Sequence, residues 1–488
     1  MSRKSGPSAP GKGPLASVAA GTVLVLVTYV TPLATLPPTA RDLGSGPVAN
    51  AWILSSMSVG LAGTLLAAGV LGDRLGRRRV YLAGLAAVIL GAALAAAAWS
   101  PWVYVAAKFA QGGGGAAVLA CGLAVLAQHY PPGAARVHAT AVWGACMGGG
   151  VAGGSLLAVA LDFGTAWREN YIATVAAGVV VLCFSVSRIP DSRAVTPRRI
   201  DVGGLVLLSL GLVVSVSAMT EARTGVGAPV VALSGAAVAS FVALGVIERR
   251  VRQPLIDPEL LRHPRFVATT LGALVLGSGM IGMAAFLPTV AQVGYGESLR
   301  AASLSPLAWA VTSVVAAVAG RRLPFSLQGP GAVAALLAIT ALSMLTAIWA
   351  DSTTELLMPL ALAGITTGLL NATLGREAVA SVPPDQAAMA SGANSTARYL
   401  GASCGITLFA MIATYTGSDI TAGWNNAVVV AVALMIAGAF AILLLHAASR
   451  RGEQRLGQEV TAAHSLGGVA IRPDQETLTT IAPDREHN

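Results

Sequence analysis

Long apolar stretches separated by short polar segments run along almost the whole chain. A helix that crosses a bilayer needs about 20 mostly apolar residues, because the hydrocarbon core is about 30 Å thick. By this criterion the sequence predicts about fourteen membrane-spanning helices, grouped as six, two and six. They cover residues 15–37, 50–71, 80–99, 102–128, 138–161, 171–187, 202–220, 229–247, 266–290, 302–320, 331–349, 356–382, 387–413 and 425–446.

The composition agrees with a chain that lies mostly in a membrane. Of the 488 residues, 55% are hydrophobic and 11% are charged, whereas soluble domains carry about 25% charged residues. The sequence contains no phosphate-binding loop, no paired catalytic carboxylates and no metal-ligand spacing. We therefore expect an all-α polytopic membrane protein that is not an enzyme and needs no cofactor or metal.

The four cysteines all fall inside predicted spans and show no paired spacing. They are Cys121, Cys146, Cys183 and Cys404. Cysteine is among the most frequently buried residue types, so we expect buried free thiols rather than disulfides.

Arginine and lysine are distributed unevenly between the two sides of the predicted bundle. If the N-terminus is cytoplasmic, the outer segments hold only Arg41, Arg168, Arg223 and Arg300. Cytoplasmic loops carry an excess of positive charge, so both termini are expected in the cytoplasm, with the chain in a bacterial inner membrane. The net charge of +9 then reflects topology, and arginines dispersed over many loops do not indicate a nucleic-acid partner.

The predicted spans divide the chain into five parts. Residues 1–14 form a cytoplasmic tail, 15–190 a six-helix bundle, and 191–264 two accessory helices with basic linkers. A second six-helix bundle covers residues 265–447. Residues 448–488 are polar and are expected to be a disordered cytoplasmic tail.

One loop concentrates charge between two apolar runs, in the sequence "AGVLGDRLGRRRVYLAG" from Ala68 to Gly84. Its glycines permit a tight turn, its acid suits a helix N-terminus, and its arginines can pair with that acid or with lipid phosphates. A general excess of arginine in inner loops explains the arginines, but not the glycines and acid among them. The residues that define this pattern are Gly69, Gly72, Asp73, Arg74, Gly76, Arg77 and Arg78.

This spacing resembles the loop signature of the major facilitator superfamily. The segment "KFAQGGGGAA" is similar to the family pattern Arg-x-x-Gln-Gly-x-Gly, with Lys108 in place of arginine and Gln111 retained. The segment "ACMGGGVAGG" resembles the antiporter signature Gly-Pro-x-x-Gly-Gly, with Gly150 in place of proline. The matching glycines of this fifth-helix pattern are Gly149, Gly150, Gly153 and Gly154. Close helix packing is an alternative explanation for all these glycines.

The six, two, six order resembles the fourteen-helix branch of drug/proton antiporters. The resemblance implies two pseudo-symmetric six-helix bundles that rock about a central cavity, with two accessory helices. It implies a monomer that exports small amphipathic compounds, such as antibiotics, in exchange for protons, with lipids as its surroundings. Two alternatives stay open: a proton-coupled importer of a small metabolite or peptide, and a non-transporting membrane sensor or scaffold.

Charged residues inside predicted spans are functional candidates, because each costs about 2.5–3.5 kcal/mol to place in a bilayer. The candidates for proton coupling or gating are Lys108, Arg376, Glu377 and Arg398. Glu377 is a candidate proton carrier; alternatively it forms a static ion pair with Arg376 or Arg398, or lies in the wet mouth of the inner cavity. The branch usually carries an acid in the first helix, where this chain has Thr28, so a neutral or anionic substrate is favoured.

A substrate cavity needs adaptable apolar side chains and a few polar groups. The candidates are Thr28, Thr31, Gln111, Asn371, Asn394, Met283 and Phe286. The same class of aromatic and methionine residues in the spans also includes Tyr29, Trp52, Trp143, Met280 and Trp309. Packing or contact with lipid is the alternative role for each of them.

Overall fold

The computed structural model describes residues 12–131, 133–161, 167–191, 202–222, 227–248, 263–320, 327–383, 387–415 and 420–466, with positions 165 and 225. Almost all of these residues are helical, and none of them lies in a β-strand. The predictions for the first eleven residues, for the two basic linkers and for residues 467–488 fall outside this described part of the chain.

The helices follow in three groups. The first six are α1 (Gly13–Leu43), α2 (Pro47–Leu75), α3 (Arg77–Ala96), α4 (Pro101–His129), α5 (Ala134–Ala160) and α6 (Arg168–Arg188). The accessory pair is α7 (Val202–Ala222) and α8 (Ala228–Glu248). The last group contains the remaining six helices.

Three helices of the last group are interrupted. Helix α9 runs through Pro264–Leu276, a π-helical segment Gly277–Ile281, Gly282–Thr289 and a second π segment Val290–Gly294. Helix α10 consists of Leu299–Leu304 and Leu307–Ala319, and α11 of Gly329–Leu345 with a 3₁₀ turn Thr346–Trp349. The group ends with α12 (Thr353–Ala380), α13 (Ala387–Tyr415) and α14 (Ile420–Leu466).

The number of helices matches the prediction. In the described part of the chain, 12 helices are long and apolar enough to cross a membrane. Helices α10 and α13 complete the fourteen, and the longer piece of α10 has 13 residues. The all-α fold with two six-helix bundles and an accessory pair is therefore confirmed. We call the end of the bundle where α1 begins the basic end, and the opposite end the far end.

Two predicted boundaries were wrong. Helix α1 does not stop at Pro37 but continues through Pro38 to Leu43, and Gly44 ends it with a φ of 62°. Prolines are tolerated inside membrane helices because neighbouring groups can satisfy the carbonyls that they free. At the other terminus α14 reaches Leu466. This segment contains no proline and is rich in good helix formers, so the first part of the predicted disordered tail is helical.

Glycines set the distances between helices within the first bundle. A Cβ atom on Gly112 of α4 would lie 2.4 Å from the carbonyl oxygen of Met57 in α2. In α5, a Cβ on Gly150 would lie 2.4 Å from Cβ of Leu26, and one on Gly154 would lie 2.3 Å from a methyl of Val30, both in α1. Close packing thus accounts directly for these glycines of the fourth and fifth helices.

The accessory helix α7 packs where the two bundles meet. A Cβ on Gly63 of α2 would lie 2.4 Å from a Val213 methyl of α7, and Sγ of Cys404 in α13 lies 3.5 Å from Sδ of Met219. Only Cys121 of the four cysteines is fully buried, and Cys183 is exposed on α6. The expectation of four buried thiols was wrong, because α6 turns one face away from the protein.

A pair of adjacent glycines tests this packing. We expect Gly112→Ala to lower the free energy of unfolding by about 1–3 kcal/mol, because the added methyl overpacks the contact with α2. Gly113→Ala is the matched control, since the nearest atom to its Cβ lies 3.8 Å away. Thermal unfolding of both purified variants in detergent is the measurement, and equal melting temperatures would contradict the prediction.

Candidate functional site

A cavity lies between the two bundles, in the half of the molecule near the far end. Its space for water-sized molecules is about 60 Å³, so the cavity is narrow in this conformation. Helices α1, α2 and α5 of the first bundle and α9, α10 and α13 of the second contribute its wall. The lining residues are Tyr29, Val30, Leu33, Ala34, Leu54, Val151, Ser155, Ile281, Ala284, Pro288, Pro306, Trp309 and Ile406.

The wall includes Tyr29 and Trp309 but none of the seven side chains given above as the main cavity candidates. The hydroxyl groups of Thr28 and Thr31 donate to carbonyls one turn back in α1, at 2.9 Å and 2.8 Å. Met283 is 1% exposed inside the core of the second bundle, and Phe286 packs against that core. Among the described residues, neighbours of these four candidates on α1 and α9 line the cavity instead.

The three polar amide candidates lie in helix contacts. Nε2 of Gln111 donates to the Val88 carbonyl of α3 at 3.5 Å. Nδ2 of Asn394 donates to the carbonyl of Thr269 in α9 at 3.2 Å, and Asn371 is buried at 7% exposure. Gln111 and Asn394 therefore join helices within a bundle, whereas Oδ1 of Asn371 has no hydrogen-bond partner among the described residues.

The charged loop forms a compact cluster at the basic end. The guanidinium of Arg77 is 2% exposed, and its Nη2 lies 2.7 Å from Oδ1 of Asp73. Nη1 of the same arginine donates to Oε1 of Gln128 at 2.7 Å. Gly76, with a φ of 108°, turns the chain between α2 and α3, and a side chain on Gly72 would collide with Cys121.

The second carboxylate oxygen of Asp73 reaches the other bundle. Oδ2 accepts from the backbone N–H of Met389, in the first turn of α13, at 3.3 Å. A helix N-terminus attracts an anion because its first N–H groups are free. One turn further along α13, a Cβ on Gly392 would lie 2.7 Å from the carbonyl oxygen of Leu65 in α2. The two bundles are therefore in close contact at the basic end, opposite the cavity.

The remaining residues of the loop have different surroundings. Arg74 is exposed, and Gly69 is buried in α2. Nη2 of Arg78 donates to the carbonyl of Val186 in α6 at 2.6 Å. Of the three arginines in the predicted pattern, Arg77 alone pairs with Asp73 among the described contacts.

Glu377 forms an ion pair, but with a partner other than those expected. Its Oε2 lies 3.0 Å from Nη2 of Arg265 at the start of α9, and its Oε1 accepts from the N–H of Gly329 at the start of α11 at 3.0 Å. The adjacent Arg376 donates to the Leu327 carbonyl. The described contacts pair Glu377 with neither Arg376 nor Arg398, because Arg376 reaches the Leu327 carbonyl and Arg398 donates to Asn394 of its own helix.

Arg398 is a buried cation near the middle of α13. It is 1% exposed, and its Nη2 donates to Oδ1 of Asn394 at 3.1 Å. Its Nε and Nη1 have no hydrogen-bond partner in the described part of the chain. Asn394 and Arg398 thus lie on one face of α13 and contact each other.

Lys108 is the second buried cation, and it lies in the first bundle. It is fully buried, its Nζ donates to the carbonyl oxygen of Thr28 at 2.7 Å, and it lies 5.3 Å from the ring centroid of Tyr171. No carboxylate of the described residues forms an ion pair with it. Gln111, on the predicted common face of α4, points instead to α3.

Three important contact residues were not among the sequence candidates. Arg265 was counted only as one of many loop arginines, although it immediately precedes the ninth span. Met389 contributes a backbone N–H, which no sequence pattern marks. Pro32 could have been identified from the sequence, because a proline inside a span leaves the carbonyl four residues earlier without its usual N–H donor.

The chain can now be compared with known proteins. The family model described as Major Facilitator Superfamily matches residues 18–406. The chain belongs to the major facilitator superfamily. Its match to this family extends from α1 into α13, and therefore includes both bundles and the charged loop.

Relatives within the superfamily are bacterial exporters. The chain is 31% identical to the "Probable actinorhodin transporter" of Streptomyces coelicolor over 389 residues, 76% of this chain and 67% of that protein. It is 31% identical to the "Cephamycin export protein CmcT" of Amycolatopsis lactamdurans, over 83% of this chain and 85% of the relative. The chain is thus a membrane transporter, not an enzyme, of the drug-efflux branch.

A solved structure agrees on the fold. The crystal structure of the human organic anion transporter MFSD10 superposes with a TM-score of 0.64 at 18% sequence identity. The match covers 88% of this chain and 100% of that chain. At this identity the comparison establishes the major facilitator fold alone.

The Glu377–Arg265 pair can be tested with a double-mutant cycle. We expect Glu377→Gln and Arg265→Gln each to lower the free energy of unfolding, with a coupling of roughly 0.5–1.5 kcal/mol. The range is low because the Arg265 side chain is 56% exposed, and solvent screens such pairs. The more exposed Asp42–Arg168 pair serves as control. Additive effects in thermal unfolding of the Glu377 cycle would contradict the prediction.

Proposed function

We propose that this transporter exports small amphipathic organic compounds, antibiotics among them, in exchange for protons by alternating access. The cavity between the two bundles, combined with close contact at the basic end, is the observation that carries the proposal. A cavity that opens toward one end while the other end is closed is the geometry that alternating access requires. Relatives that export antibiotics support the direction.

The uneven distribution of arginine supports an orientation. With the basic end in the cytoplasm of a bacterial inner membrane, both termini lie inside and the cavity faces outward. This corresponds to the state in which an exporter releases its compound. We propose a monomer as the transporting unit, because the two bundles that form the cavity wall belong to the same chain.

The cavity wall favours uncharged or anionic amphiphiles. Most of its residues are apolar, with Tyr29, Ser155 and Trp309 as polar contributors, and none of the lining residues is an acid. Two buried basic side chains touch helices of this wall without a carboxylate partner among the described contacts: Lys108 donates to α1, and Arg398 lies in α13. A lipophilic cation would find no opposite charge along this wall.

Proton exchange needs a group that binds and releases protons on each cycle. The four candidates remain Lys108, Arg376, Glu377 and Arg398. Both carboxylate oxygens of Glu377 are engaged, one by Arg265 and the other by the Gly329 N–H at the start of α11. Its role as a static ion-pair partner is therefore better supported than a role as proton carrier.

Transport into proteoliposomes distinguishes the proposed exchange from its alternatives. We expect a cephamycin, or another member of a panel of carboxylated and neutral antibiotics, to accumulate when the lumen is more acidic than the medium. A carboxylate does not accumulate passively in an acidic lumen, so such uptake requires exchange for protons. Protein-free liposomes are the control. Uptake driven only by an acidic medium would indicate a proton-coupled importer, and no uptake under either gradient would contradict transport of these compounds.

We propose further that Asp73 stabilises the state that is closed at the basic end. Asp73→Ala removes the acceptor for both Arg77 and the Met389 N–H, so we expect the basic end to open in a larger fraction of molecules. Spin labels at the exposed positions Arg79 and His263, in a background without the exposed Cys183, report the distance between the bundles. Arg74→Ala, in the same loop, is the control and should leave the distance distribution unchanged. An unchanged distribution in Asp73→Ala would overturn this role.

A further inference from the structure

The first helix contains a proline close to the middle of the molecule. Pro32 lies inside α1 and has no N–H, so it cannot make the usual helix hydrogen bond to the carbonyl four residues earlier. That carbonyl belongs to Thr28. Prolines inside helices are also common positions of bends. Residues 28–32 are therefore one segment of α1 that is not fully held by its own backbone, and Pro37 and Pro38 create a second one further along.

The freed carbonyl has a donor from another helix. Nζ of Lys108, on α4, donates to the carbonyl oxygen of Thr28 at 2.7 Å. An unpaired carbonyl in a membrane interior is costly, and an amine N–H can donate to it whether or not the amine is charged. Lys108 thus replaces the hydrogen bond that Pro32 removes.

The surroundings of the amine hold it at this position. The ring of Tyr171 on α6 lies 5.3 Å from Nζ, and the hydroxyl of Tyr171 shares a hydrogen bond with Tyr104. Thr28 and Lys108 are both fully buried. These two phenols are the titratable groups that face the amine, and no acid of the described residues forms an ion pair with it.

The segment next to this contact forms part of the cavity wall. Tyr29, Val30, Leu33 and Ala34 all line the cavity, and they lie immediately beside or beyond the carbonyl that Lys108 holds. Tyr29 also reaches the second bundle, because its ring lies 5.5 Å from that of Tyr399 on α13. A change in the bend of α1 here would move the cavity wall and the contact between the bundles together.

We infer that Lys108 is a positioning residue for the cavity: by occupying the carbonyl that Pro32 frees, it fixes the course of α1 past this proline and hence the wall formed by Tyr29, Val30, Leu33 and Ala34. It acts as a hydrogen-bond donor, and it need not release its proton to do so. The inference rests on the proposed function, because a cavity wall matters for activity only if compounds pass along it.

The test pairs Lys108→Met with Pro32→Ala. The first variant removes the donor, so we expect antibiotic uptake by proteoliposomes to fall about tenfold or more, since one buried carbonyl loses its partner. Pro32→Ala restores a backbone N–H to α1. In the double variant we expect most of the uptake to return, and the loss in melting temperature caused by Lys108→Met to become smaller. A double variant as impaired as Lys108→Met in both measurements would overturn the inference.

Two further variants separate this role from others. Pro37→Ala lies in the same helix but frees a different carbonyl, so it should not rescue Lys108→Met. Lys108→Arg keeps a charged donor that does not release its proton, so it should retain uptake. Loss of uptake in Lys108→Arg with an unchanged melting temperature would assign the lysine to proton transfer and contradict a positioning role.

The melting temperatures of the wild type, Lys108→Met, Pro32→Ala and the double variant form a double-mutant cycle. This cycle separates failure of the inference from failure of the proposed function. If the wild-type protein moves no antibiotic under either gradient, the proposed function fails, while the coupling between Lys108 and Pro32 is still measured by unfolding. If the wild-type protein transports but the two substitutions act additively in both measurements, the inference fails and the proposed function stands.

Discussion

The constraint on which this structure depends is that polar groups inside a bilayer must find their partners within the protein. In water, a freed carbonyl or a lone cation is hydrated at little cost; in hydrocarbon each such group costs several kcal/mol. The buried polar groups are accordingly placed against other helices. Lys108 binds a carbonyl of α1, Arg77 binds Asp73 and Gln128, and Glu377 binds Arg265. Each of these contacts joins two or three helices, so the groups that function needs also determine which helices stay together.

The same constraint explains how far the sequence could predict the molecule. Span number and grouping follow from local apolarity, and the charged loop follows from residues close together in the chain, so both were predictable. Glycine patterns also indicated close packing, which Gly112 and Gly150 show directly. The partner of Glu377 could not be chosen from sequence, because Arg265 is 112 residues away and competes with nearer arginines. The sequence also could not show which side of each helix faces the cavity. Tyr29 lines the cavity, whereas the hydroxyl of the adjacent Thr28 donates to a carbonyl of its own helix.

The two bundles use their basic-end carboxylates differently. Asp73 pairs with Arg77 inside its own bundle and, with its second oxygen, accepts from α13 of the other bundle. Glu377 places one oxygen on Arg265 of α9 and the other on the N-terminus of α11, both in its own bundle. A rocking motion that opens the basic end has to break the contact between Asp73 and α13, but it can leave the Glu377 contacts intact. The first bundle thus contributes the contact that changes, and the second contributes contacts that keep its helices together.

The far end is constrained in another way, through α1. Three prolines lie in this helix, so its far half is less strongly held by backbone hydrogen bonds than its basic half. The lysine contact at Thr28 marks the boundary between the two halves. Tyr29 is the next residue, and its ring packs on that of Tyr399 in α13. Bending of α1 beyond Thr28 would therefore change both the cavity and the contact between the bundles. In the proposed alternating access, we therefore expect the far end to close by bending of α1 rather than of the neighbouring helix α4, which has no proline beyond its first turn. Helix α1 also carries four of the residues that line the cavity.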